Sequence, residues 1–102
     1  MPNWVDVAAE EDCPAGSALE VVAAGRMVAL FHTPEGIFAT DGMCAHQGGP
    51  LGQGQLCDKI VTCPWHGWQY DVTTGKHELS SIHLDCFGVK VEGGRIWVDV
   101  AE

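Results

Sequence analysis

The chain has 102 residues, with 5 Lys and Arg against 14 Asp and Glu, for a formal charge of −9. That length predicts one domain, residues 1–102, with a single modest core and no room for an attached catalytic domain. So few cations argue against a nucleic-acid partner, whose phosphates would need Lys and Arg; the acidic surface instead suits either plain solubility or steering toward a basic patch on a protein partner.

The N-terminus, Met1-Pro2-Asn3-Trp4, has no basic start and no apolar h-region. No stretch approaches the roughly 18 apolar residues of a membrane span. Both features predict a cytoplasmic protein that meets no membrane. Helical periodicity is weak, and Gly or Pro interrupts the chain about every ten residues, so short strands and turns are expected. Residues 4–7 read as a first strand and 8–17 as a loop around Asp12-Cys13-Pro14-Ala15-Gly16. Residues 19–23 and 27–32 are the next two strands, joined by a tight turn at Ala24-Gly25, with Val28 and Leu30 on one face. Pro34-Glu35-Gly36 turns the chain into a fourth strand, 37–40, and this run of hairpins predicts an antiparallel sheet. Residues 55–57, 60–62 and 69–72 read as three short strands, with Asp58-Lys59 as a turn and 50–54 irregular. Residues 76–86 carry no clear pattern. The chain closes as a hairpin, 87–92 and 95–100, about Gly93-Gly94, with Ile96, Val98 and Val100 on one face. The expected architecture is an all-β antiparallel sandwich or small barrel, without repeats or linkers.

Between the fourth and seventh strands lie two short boxes rich in Gly and Pro. The first is Cys44-Ala45-His46-Gln47-Gly48-Gly49 and the second Cys63-Pro64-Trp65-His66-Gly67-Trp68. Each offers one thiol and one imidazole on irregular backbone, so both side chains of a box can point into one cavity. Two thiolates and two imidazoles suit a tetrahedral structural zinc. They also suit a [2Fe–2S] cluster in which two His replace two Cys on one iron. Zinc fingers usually pair Cys with Cys and His with His. Here each box mixes the two, which lets each tip give one ligand to each of two irons.

The two boxes, CAHQGG and CPWHGW, resemble those of the Rieske family. PLGQG after the first box, CPWHGWQYD and the closing VKVEGGRIWV extend the resemblance over most of the chain. It implies a Rieske-like fold whose two metal loops form a small cluster-binding subdomain, residues 41 to about 72. It implies one [2Fe–2S] cluster per chain, with Cys44 and Cys63 on the inner iron and His46 and His66 on the outer. Members from respiratory cytochrome complexes carry an extra disulfide, but Gly49 and Trp65 stand at those positions here. Trp68 stands where those proteins carry a serine that bonds the cluster sulfur, and Tyr70 matches their tyrosine. The branch lacking the disulfide and the serine includes Rieske-type ferredoxins and the N-terminal domains of ring-hydroxylating oxygenases. Backbone N–H groups of Gln47, Gly48, Gly49, Gly67 and Trp68, with the Tyr70 hydroxyl, are then the expected donors to the cluster. Trp65 is expected to pack against the second loop.

With two ferric ions, two sulfides, two thiolates and two neutral imidazoles, the oxidised core has no net charge. Four thiolates would leave it dianionic, so His ligation raises the potential into a range of roughly −150 to +300 mV. Loss of the serine hydroxyl predicts the low end. The implied function is a one-electron carrier, itself no enzyme, between a flavin-dependent reductase and a terminal aromatic-ring oxygenase that docks at the His46/His66 end. Two other readings compete: a Rieske-like small subunit of an assimilatory nitrite reductase, and a zinc-stabilised interaction module. Such ferredoxins usually have a Pro-containing loop over the cluster, whereas this chain has no Pro after Pro64. His83, in that region, reads as a surface residue or a docking contact. His32 and His77 read as structural or solvent-facing, Trp4 and Trp97 as sheet packing, and Lys59, Lys76 and Lys90 as surface charges. Cys13, Cys57 and Cys86 are expected to be reduced and mostly buried.

Overall fold

The computed structural model describes residues 3–43, 49–65 and 67–100. Their strands, in chain order, are β1 (Trp4–Ala9), β2 (Ala18–Ala23), β3 (Arg26–Thr33), β4 (Gly36–Asp41), β5 (Gln55–Cys57), β6 (Ile60–Thr62), β7 (Gln69–Asp71), β8 (Lys76–His77), β9 (Cys86–Glu92) and β10 (Arg95–Asp99). Six of them form an antiparallel sheet in the order β1-β10-β9-β4-β3-β2, and the others a four-stranded sheet, β5-β6-β7-β8. The end strands β1 and β2 lie close to each other, so the larger sheet curls into a nearly closed barrel. The all-β expectation holds.

The hairpins follow from local chemistry. Ala23 pairs with Arg26, leaving Ala24 and Gly25 as a two-residue loop. Both have positive φ, 53° and 79°, the turn whose twist matches a hairpin. Gly93 and Gly94 repeat this between β9 and β10, with φ of 59° and 75°.

β3 organises the interior. Its alternation puts Val28 and Leu30 into one core with Val21, Ile96 and Val98, inside the curled sheet. Ala29 and Phe31 point the other way, into a second core with Leu51, Val61, Cys63, Tyr70, Val72 and Leu84. All four of these β3 residues are fully buried. The strand is therefore a wall shared by two cores, and the small sheet is attached through its outer face. That arrangement carries the β6–β7 connection, with Cys63 at its root, to a defined place.

The structure differs from the expectations at several points. β1 runs to Ala9, and its register slips between Asp6 and Ala8; a 3₁₀ turn, Glu10–Asp12, then opens the expected loop. A second 3₁₀ turn, Leu51–Gln53, orders part of residues 50–54. The unreadable stretch after residue 75 contains β8 and a bridge between Lys76 and His83. Cys13 is buried as expected, but Cys57 and Cys86 are exposed. Cys57 lies on the edge strand β5, where it and Gln55 are exposed and Leu56 between them is half-buried. Lys90 lies 4.7 Å over the Trp4 ring, so Trp4 packs with a cation as well as with the sheet. No helix among the described residues is long and apolar enough to cross a membrane.

Candidate metal centre

Cys63 follows β6 directly, and its backbone N–H donates to Trp68 O at 2.7 Å, closing the second box at its root. The side chain is buried in the second core. Its sulfur accepts a backbone N–H from Trp65 at 3.4 Å. Such a donor favours thiolate over thiol and is what a metal-bound sulfur needs.

The end of the first box reaches the same place. A Cβ on Gly49 would stand 2.7 Å from Cys63 Sγ and 3.0 Å from Trp65 Cγ. The backbone of box one therefore passes against the thiol of box two, and only glycine permits that approach. Asp41 steadies the start of box one: its carboxylate accepts the Met43 N–H at 3.3 Å, and Gly42 N–H bonds Met27 O at 3.1 Å. Arg26 ties that root to the 84–86 segment, with its guanidinium 2.7 Å from Asp85 and 3.9 Å from Asp41.

Gly67 has φ +72°, which lets the chain turn back sharply toward β7. Trp68 then lies flat on His77, with ring centroids 4.2 Å apart and planes at 22°. Tyr70, fully buried on β7, packs its ring 5.4 Å from His77. Trp65, within the second box, is half exposed. His77 resolves as structural: 5% exposed, held at Nδ1 by Ser80 Oγ at 2.8 Å. No hydrophobic period points to it, because a stacked ring and a serine bond bury it. His83 is exposed, its Nδ1 bonded to Ser81 O at 2.9 Å.

Of the expected ligands, Cys63 is placed; Cys44, His46 and His66 lie outside the described residues, as do Gln47 and Gly48. The described part fits a bound cluster: a buried thiol with an N–H donor, a glycine-only gap beside it, and two boxes in contact.

A profile of the Rieske [2Fe–2S] domain matches residues 3–87. The chain is 31% identical, over 101 residues and 97% of each chain, to the ferredoxin component of the naphthalene 1,2-dioxygenase system of Pseudomonas aeruginosa. It is 37% identical, over 94% of its own length and 80% of the relative's, to the ferredoxin component of the alkene monooxygenase system of Xanthobacter autotrophicus. Among solved structures it superposes with a TM-score of 0.84, at 28% identity and covering 94% and 92% of the two chains, on a chain from a complex of reduced oxygenase and oxidised ferredoxin in carbazole 1,9a-dioxygenase.

Proposed function

The chain belongs to the Rieske [2Fe–2S] domain family, and we propose that it is a one-electron carrier that takes electrons from a flavin-dependent reductase and delivers them to a terminal oxygenase. The observation that carries this reading is the meeting of the two boxes at Gly49 and Cys63, in a chain whose relatives are ferredoxin components of oxygenase systems. Cys44 and Cys63 would hold the inner iron, and His46 and His66 the outer, with one cluster per chain. The bound cluster would supply reversible storage of one electron, with no bond made or broken in a substrate.

The chain's own residues do the rest. The Trp65 N–H bonds the Cys63 sulfur and so favours the electron-rich state. Trp68, Tyr70 and His77 pack ring against ring and brace the second box. His46 and His66 would each present a second ring nitrogen outward, as the exit for the electron. The terminal oxygenase is taken to be an aromatic-ring dioxygenase, and the protein to work in the cytoplasm. The nitrite-reductase reading is less supported, because the relatives above are named as ferredoxin components.

Iron and acid-labile sulfide should be found at about two each per chain. An EPR signal should emerge only after dithionite. Exchanging His66 for Cys should lower the potential and alter the visible spectrum, since a thiolate donates more charge to the outer iron. Stoichiometric zinc without sulfide, or an unchanged spectrum in the His66→Cys protein, would overturn the assignment.

A further inference from the structure

Exposed apolar side chains recur at and beside the second box. Among the described residues, Val22, Met43, Trp65, Leu79, Ile82 and Val91 are large and exposed. Met43 directly precedes the first box and Trp65 lies within the second. Leu79, 91% exposed, shares a groove with Gly67 and Trp68 of the second box. Ile82 closes the same loop, its carbonyl accepting the His77 N–H at 2.8 Å. Trp65 thus lies in the second box and Leu79 against it, with Ile82 in the same loop as Leu79. Single exposed apolar residues need no explanation, whereas a grouped set marks an interaction site.

The groove measures about 420 Å³ and is lined by Gly67, Trp68, Gln69, His77, Glu78 and Leu79. Its floor includes the stacked Trp68 and His77 rings. The loop that carries Leu79 is already ordered. Ser80 Oγ bonds His77 Nδ1 at 2.8 Å and accepts the Ile82 N–H at 3.2 Å, while Leu84 N–H bonds Gly75 O at 2.7 Å. A leucine held in water by a loop fastened at both ends keeps its cost of ordering low when it docks.

We propose that Leu79 and this groove form the specificity contact for the terminal oxygenase: an apolar side chain of the oxygenase enters between Leu79 and the Trp68/His77 stack, with a basic residue of the oxygenase facing Glu78. The inference rests on the electron-carrier reading above and names which partner that end recognises. The groove is lined by Gly67 and Trp68 of the second box, the box that the electron-carrier reading places at the docking end. The oxygenase is the occupant because the solved assembly that contains a matching chain joins oxygenase to ferredoxin. The chain's charge of −9 suits a basic rim around an apolar knob.

The test uses the full cluster-loaded protein, with purified terminal oxygenases of the naphthalene, carbazole and alkene systems as probes. Dithionite-reduced parent protein should reduce at least one of them. If it reduces none while its EPR signal is intact, the electron-carrier reading falls and this inference falls with it. With an accepting oxygenase, Leu79→Ser should raise KM for the carrier about tenfold, as loss of an interface anchor does. The kcat, EPR signal and rate of reduction by a flavin reductase should stay as in the parent. Leu79→Met should restore most of the affinity, and Val91→Ser on β9 should change nothing. A KM within twofold of the parent overturns the proposal, and so does a Leu79→Ser defect confined to the flavin-reductase step. Both results leave the carrier reading standing.

Discussion

At single residues, the consequential features are close approaches and satisfied carboxylates. Gly49 has no space for a Cβ, since Cys63 Sγ and Trp65 lie on that side within 3.0 Å. Gly49→Ala should therefore force the boxes apart. The protein should fold, because the first core is untouched, but iron per chain should fall by half or more after purification. Full iron loading of Gly49→Ala would show that the boxes have slack. Asp71 illustrates a different effect. Its Oδ1 accepts the Thr73 hydroxyl at 2.6 Å and the Thr73 N–H at 2.9 Å, and Lys59 lies 3.6 Å from Oδ2. Burial pushes this carboxyl up, but the Thr73 bonds and Lys59 outweigh it and hold the group below the usual carboxylate range. A depressed folded pKa means stability that is present above the unfolded value, about 3.9, and lost as pH falls through the folded one. Asp71→Asn should cost about 1 kcal/mol at pH 7. The gap between parent and variant in urea midpoints should close as pH is lowered below about 4. A gap independent of pH would mean that charge plays no part in this turn.

At the scale of elements, β3 separates the two cores, and its faces allow a paired test. Leu30→Ala opens a cavity in the core of the curled sheet, and Phe31→Ala one in the core that holds Cys63 and Tyr70. Each should destabilise by roughly 2–5 kcal/mol. Cluster content should drop only in Phe31→Ala, because only that cavity borders the second box; equal losses in urea titrations with equal cluster content would refute the two-core division. The same strand shows what was legible in the sequence. The hairpins at Ala24-Gly25 and Gly93-Gly94 are readable because turn residues punctuate alternating strands. The face of Val28 and Leu30 is readable because side chains alternate. That Ala29 and Phe31 are equally buried is not, since alternation cannot tell what covers the second face. β8 and its loop are hidden for a related reason. His77 is buried by the Trp68 ring and fastened by Ser80, and both contacts come from the fold rather than from any local period. The second box announced itself through residue types, yet the glycine-only gap between Gly49 and Cys63 emerges only in three dimensions.

The whole molecule carries a one-sided field. Among the described residues, cations are engaged by the chain's own carboxylates: Arg26 by Asp85 at 2.7 Å, Lys59 by Asp71 at 3.6 Å, Lys90 by Glu92 at 3.8 Å and Arg95 by Asp6 at 2.9 Å. These pairs lie at the surface and contribute little to stability. They do not alter the net charge, which stays at −9 with every cation counted and sets the field at a distance. Such a field speeds encounter with a basic partner and is screened within about 10 Å at 0.1 M salt. The second-order rate of electron delivery to an accepting oxygenase should therefore fall about tenfold or more between low and high salt. Two outcomes separate field from contact. If steering works through the net charge, charge-reversal of distant residues such as Glu10→Lys and Glu11→Lys should flatten the salt dependence, while affinity at high salt stays that of the parent. If the acidic residues act as specific contacts, the same reversals should weaken binding at every salt concentration. Stopped-flow rates across a salt series, for parent and double variant, decide between them; a rate indifferent to salt in the parent would remove electrostatic steering altogether.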